Sequence, residues 1–241
     1  MKVKIIERAE KIFKVVTYDA TELSQLIDIE LTAIAVCYRD VFNTSGEWEE
    51  TWTTESALEE VQKAFAREES RDPVATIIWD GDKAIGFGWG LLTDVDHLVA
   101  ERDMPFALPV ELKQEGLAKA KLWLSEVAGA SRVFLYRDFG VLKASRDRMA
   151  GPLTQEILNR VKVEGVKPLL YWTSTKSQVY NIGIGMNWMP FHYFTPQPDG
   201  KVLTLMIGNV FWTADFVNKF IDDMDTGYRE IANRIAVYRC M

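Results

Sequence analysis

The chain has 241 residues, 48% of them apolar and 12% aromatic, enough to fill the core of one large domain. Thirty-five acidic against 28 basic residues leave a net charge of −7, which argues against a general nucleic-acid binder. The charged N-terminal stretch MKVKIIERAEKIFKVV is neither a signal peptide nor a membrane span. Two distant cysteines, Cys37 and Cys240, lack metal-ligand spacing and read as reduced thiols. We therefore expect a soluble cytoplasmic protein with no metal, no nucleic-acid partner and no membrane partner.

In chain order, residues 12–18 read as a first strand. From Thr21 to Phe42, Leu23, Leu26, Ile27, Leu31, Ile34, Ala35, Tyr38 and Phe42 recur at helical spacing. A second helix runs from about Thr54 to Arg67, opened by a cap and early carboxylates. Val74–Trp79 and Ala84–Leu92 are strands joined by Asp80-Gly81-Asp82, a hairpin signal. Glycines at 86, 88 and 90 mark either a bulge and close approach or tight packing. Residues 93–110 are irregular and leave His97 without a role, and a helix follows to about Val127.

A strand then begins at Val133. Residues 175–187 form a helix after a short strand at Pro168–Trp172. Trp188–Thr195 and Lys201–Val210 pair through a PQPDG turn. The final segment, Thr213 to Tyr238, reads as one helix with a kink at Gly227. The expected fold is α/β (α+β) and mixed. It comprises a domain over 1–210 and a helical extension over 211–241, packed on the domain or forming a homodimer interface.

One stretch points to a ligand. Val133 to Ile157 reads as a strand, a short basic loop holding Arg146 and Arg148, and Gly151-Pro152 opening a helix. Free amides, a helix dipole and fixed cations at such a turn suit a pyrophosphate.

The element order and this turn resemble the GNAT superfamily of N-acyltransferases over residues 10–210. Val141 stands five before Arg146, and Arg146-Asp147-Arg148-Met149-Ala150-Gly151 lies over the family's R-G-x-G-x-G turn. The resemblance implies a largely antiparallel central sheet flanked by helices. It also implies acetyl-CoA as cosubstrate, held by Val141, Leu142 and residues 146–151. Met149 stands where glycine is common, and its side chain would narrow the approach to the phosphates. Tyr38-Arg39-Asp40-Val41-Phe42, followed by Glu47-Trp48-Glu49-Glu50-Thr51-Trp52, is similar to the acceptor segment of small-molecule GNAT enzymes. Trp48, Glu49 and Trp52 would then receive an ammonium through Coulomb and cation–π attraction.

Acyl transfer needs a neutral amine, a proton acceptor and an oxyanion donor. The family pattern places Asp138 as the acceptor, with a salt bridge to Arg137 or Arg132 as its structural alternative. It makes the backbone near Val141 and Leu142 the oxyanion donor and pantetheine partner. Tyr180 is the acid for the thiolate, although the family register puts Gly183 at the tyrosine position and Asn187-Trp188 at the Gly-Phe pair that follows. His192 is an alternative titrating group. The expected function is acetyl transfer to a primary amine of a small molecule. The alternatives are a GNAT-fold binding module and an acyltransferase acting on a protein amine.

Overall fold

Alternating apolar residues build the sheet, and the sheet fixes where each helix packs. The computed structural model describes residues 1–8, 11–45, 51–68, 70–98, 110–194, 200, 202–221 and 223–240. Its strands are β1 (Lys2–Arg8), β2 (Lys11–Tyr18), β3 (Arg71–Asp80), β4 (Lys83–Asp94), β5 (Arg132–Val141), β6 (Pro168–Ser174), β7 (Met189–Tyr193) and β8 (Leu203–Asn209). They form a mixed sheet in the order β1-β2-β3-β4-β5-β6-β8-β7. β1–β2, β2–β3, β6–β8 and β7–β8 are antiparallel, whereas β5–β6 is parallel at Phe134–Tyr136 against Leu169–Tyr171. The helices are α1 (Ala20–Leu23), α2 (Asp28–Ser45), α3 (Thr54–Phe65), α4 (Val110–Leu122), α5 (Arg146–Val163), α6 (Gln178–Gly185), α7 (Val210–Phe220) and α8 (Met224–Cys240). Among the described residues no helix is long and apolar enough to cross a membrane.

The chain divides into two compact units: residues 1–91 with 138–160, and residues 92–137 with 161–241. In the first, the period of two sorts β2 and β3 cleanly, and β4 breaks it between Ile85 and Phe87. Val16, Tyr18, Ile77, Trp79, Phe87 and Trp89 face a core shared with α2 and α3. Phe13, Val15, Ile78, Ile85 and Val141 face the other way, onto Met149 and Leu153 of α5. The Asp-Gly turn is as expected, with Gly81 at φ +59°.

Strand β1 was not legible in the sequence. Its solvent-exposed Lys2 and partly exposed Lys4 pair with the buried Glu156 of α5 at 2.7 and 3.3 Å, so a long-range contact supports its polar positions. The expected helix over 21–42 is two helices. The Glu30 carboxylate accepts from the Ile27 amide at 3.1 Å, which starts a new N-terminus. Thr53 caps α3, and Ser56 completes a reciprocal capping box.

In the second unit α4 continues as a π-helical turn over Trp123–Val127. The expected C-terminal helix is also two. Asp223 accepts from the Thr226 amide at 3.1 Å and opens α8. Trp188 is buried and donates to Thr213 Oγ1 of α7 at 2.9 Å. Gly185 lets α8 come close: a Cβ there would lie 2.5 Å from Ile231 Cγ2. Both C-terminal helices thus pack on their own unit.

Candidate functional site

Strand β5 delivers the residues that the sequence singles out. In its first-unit portion, Gly140 faces α2: a Cβ there would meet Val41 Cγ1 at 2.5 Å and Phe87 Cζ at 2.8 Å. Asp138, two residues earlier, faces the same side. Its half-buried carboxylate accepts from the indole N–H of Trp89 at 2.9 Å. Trp89 is 1% exposed and cannot turn away. It stacks on Phe87 at 4.6 Å and on Tyr38 at 5.4 Å, with Phe65 edge-on at 5.4 Å.

Trp52 joins the same cluster, edge-on to Tyr38 at 5.1 Å. Asn43 clasps its backbone, accepting from the Trp52 amide at 2.8 Å and donating to its carbonyl at 2.9 Å. Tyr38 and Trp89 therefore link Trp52 to Asp138. Trp48 and Glu49 lie outside the described residues. Arg132, the alternative partner for Asp138, approaches Asp94 at 3.7 Å.

The basic turn differs from the expected loop. The Leu142 amide donates to Ile85 O at 2.9 Å, so that N–H is occupied and is not an oxyanion donor. A 3-10 turn spans Lys143–Ser145, and α5 begins at Arg146 rather than at Gly151. Pro152 lies inside the helix, where its φ is helical and only the Arg148 carbonyl loses a donor. Arg146, Asp147 and Arg148 occupy the first turn, whose amides lack intrahelical acceptors. Their side chains lie outside the described residues.

Met149 does not narrow that turn. It is 1% exposed and points inward, packed with Val141, Leu153 and Ile78. Ala150 packs against the same cluster, and Gly151 is buried in the helix. Ile85 also packs there, and the Cβ that Gly86 lacks would lie 3.2 Å from Val141 Cγ2 and 3.3 Å from Ile78 Cδ1. Two consecutive residues facing one side make a bulge opposite the end of β5.

Cys37 of α2 is a buried free thiol. Burial first, then the Asp40 carboxylate, pushes it up to about 12 against an opposing Lys83. The raised pKa keeps it neutral through physiological pH, with the thiolate about a thousandfold scarcer than in an ordinary cysteine. In a Cys240→Ser protein, iodoacetamide at pH 8 should label Cys37 only after unfolding. Labelling of the folded chain at the rate of a free thiol would contradict this.

In the second unit, the Tyr180 hydroxyl lies 3.0 Å from that of Tyr193. His192 is half-buried and edge-on to Phe194 at 4.7 Å. Burial, helped by the Lys119 ammonium and opposed by Glu115, lowers its pKa below the usual imidazole value. His97 contacts Asp94 at 3.7 Å.

No family model and no curated protein matches the sequence. Solved structures do. A polyamine N-acetyltransferase from Drosophila melanogaster is 10% identical, over 81% of this chain and 99% of its own, with a TM-score of 0.53. A CoA-dependent acyl-homoserine lactone synthase, solved with SAM and isopentyl-CoA, is 12% identical over 86% and 89%, also at 0.53. An aminoglycoside 6′-N-acetyltransferase complexed with coenzyme A is 10% identical over 81% and 96%, at 0.47.

The fold is that of the GNAT N-acetyltransferases. Within this GNAT fold Asn187 has φ +63°, the left-handed conformation expected where the family carries glycine. Gly183 stands where the GNAT resemblance puts tyrosine. A Cβ there would lie 2.7 Å from Trp188 Cε3, so Trp188 excludes any side chain. Trp89, which anchors Asp138, was not singled out from the sequence. The only signal was its place on the glycine-alternating strand, which does not reveal a partner 49 residues away.

Proposed function

We propose that the chain is an acyl-CoA-dependent N-acyltransferase that moves acetyl from acetyl-CoA to a primary amine of a small molecule. The observation that carries this reading is the Asp138 carboxylate, held by a buried indole beside an aromatic cluster on the strand that runs into α5. The inward Met149 supports it too, because the start of α5 is left without that obstruction.

In this reading the first-turn amides of α5 and the guanidinium groups of Arg146 and Arg148 hold the pyrophosphate, with Val141 and Leu142 alongside the pantetheine. Bound acetyl-CoA supplies an activated acyl group as a thioester. Trp52 and Tyr38 orient the acceptor through their ring faces, with Trp48 and Glu49 contributing from the same segment. Asp138 takes a proton from the ammonium, which frees the lone pair for attack. The Trp89 indole N–H stabilises the ionised carboxylate and fixes its direction. The Tyr180 hydroxyl returns a proton to the departing sulfur.

Titration calorimetry of the purified chain with acetyl-CoA tests the cofactor half of this proposal. Micromolar binding is expected, weakened roughly tenfold or more by Arg146→Ala and by Arg148→Ala, since each removes a charge-assisted contact. Absence of binding by the unaltered chain would end the acyltransferase reading.

A second reading is a GNAT-fold binding module without efficient catalysis. Gly183 favours it, because Trp188 leaves no room there for the tyrosine that the resemblance expects. Binding of acetyl-CoA without turnover on any amine would support this reading.

A further inference from the structure

Strand β1 ends the sheet, and its outer edge is open. It stands last in the strand order, and β2 pairs with it at every position from Lys2 against Thr17 to Arg8 against Lys11, without a bulge. Among the described residues no strand and no other backbone group meets the N–H and C=O groups on its far side. The strand contains no proline. An unbroken, proline-free edge of seven residues is a template for a further strand.

The two faces of β1 differ. Lys2, Lys4 and Ile6 alternate toward α5. Ile6 joins the core around Met149 and Leu153, and the two lysines share the single Glu156 carboxylate. Two ammonium groups on one carboxylate leave this side of the edge positive, in a chain whose net charge is −7. Val3, Ile5 and Glu7 alternate the other way. Val3 lies opposite Val16, which belongs to the core under α2 and α3. Beyond it the apolar strip runs into solvent: Val3 is 41% exposed, Ile5 61%, and Ile12 of β2, opposite Glu7, 66%.

These features select the occupant. A lipid surface would cover Val3, Ile5 and Ile12 but would leave the edge amides and carbonyls without partners. A second copy of β1, set antiparallel about a two-fold axis, would bring both pairs of lysines onto one face, where like charges oppose pairing. An extended segment with carboxylates on the lysine side and apolar side chains on the other meets the backbone, the charge and the strip together.

We infer that the free edge of β1 binds an extended peptide segment of alternating acidic and apolar residues, added to the sheet as a further strand. Its carboxylates lie along Lys2 and Lys4, and its apolar side chains lie along Val3 and Ile5. The inference does not rest on the acyltransferase reading, because no coenzyme takes part.

Fluorescence polarisation of a capped, labelled seven-residue peptide of alternating glutamate and valine, titrated with the full chain, tests it. Saturable binding is expected, and it should weaken as salt is added. A lysine–valine peptide should not bind. Neither should the glutamate–valine peptide N-methylated at every residue, which has no amide donors. Lys2→Gln and Ile5→Ser should each weaken binding by up to roughly fivefold, the upper range for one cross-strand pair. Both side chains are mainly exposed, and Lys2→Gln leaves Lys4 on Glu156, so thermal unfolding should stay near that of the parent chain. The inference fails if the glutamate–valine peptide gives no saturable change, if either control peptide binds as well, or if both variants bind like the parent. Flotation with phosphatidylserine vesicles that Ile5→Ser abolishes, without peptide binding, would assign the surface to a lipid and also overturn it.

Discussion

Replacing Asp138 by asparagine should lower kcat with a primary amine by about 10²- to 10⁴-fold, the usual contribution of a positioned general base. Acetyl-CoA affinity should stay unchanged, because the cofactor contacts proposed above lie on α5 and the end of β5. The Asp138 carboxylate accepts from the Trp89 indole at 2.9 Å, and a hydrogen bond to the ionised form lowers a carboxyl pKa. Trp89→Phe keeps a ring in the stack between Tyr38 and Phe87 but deletes that donor. The carboxyl pKa should then rise, and the rising limb of the kcat/KM profile should move to higher pH. A merely structural role for Trp89 would lower stability without moving that limb. Full turnover by Asp138→Asn would remove Asp138 from the chemistry, whatever the cofactor titration shows.

The second large effect is on stability. Gly140→Ala should destabilise the chain by about 1–3 kcal/mol, the usual cost of overpacking a filled core. The added Cβ would stand 2.5 Å from Val41 Cγ1 and 2.8 Å from Phe87 Cζ, and Phe87 is fully buried. Neither neighbour is the loose end of a surface side chain. For a chain of this size the loss corresponds to roughly 2–4 °C in Tm per kcal/mol. Adding Val41→Ala should return part of the stability, so the double variant should be more stable than the sum of the single changes predicts. A Tm unchanged by Gly140→Ala would mean that β5 and α2 are not in contact at this point.

Much of the local architecture was legible because it rests on neighbours in sequence. The Asp80-Gly81 pair specified a hairpin, since glycine reaches positive φ without steric cost. Apolar periodicity located α3, β6 and β8 to within a few residues. Asn187 was recognisable as a left-handed position, and φ +63° is observed. Other boundaries failed for equally local reasons that a simple period does not contain. Glu30 reached back to Ile27 and split the first helix, and Asp223 opened α8 where the apolar stripe ran on unbroken.

The candidate site was legible in part. Asp138 and Val141 lie on β5, but residues 146–151, read as a basic loop with Gly151 opening the helix, form the first turns of α5. Their environment was not legible. Met149 read as an obstruction because sequence gives a side chain but not its direction. The position of α5 against β2 and β3 turns it inward. Leu142 read as a backbone donor, yet the bulged strand opposite occupies its amide. The open depression lined by Ala33, Val36 and Cys37 of α2, Ala84 of β4 and Leu142 had no signature in the sequence, since its wall comes from three separate segments.

The sequence by itself determined the strands from β2 onward, the Asp80-Gly81 hairpin and most of the apolar faces, because each depends on backbone preference and side-chain spacing within a few residues. Only the tertiary structure decided which indole holds Asp138, which glycines are forced by packing and which way Met149 points. Those outcomes depend on atoms tens of residues apart that meet only when the sheet is assembled, and close packing then leaves each of them a single arrangement.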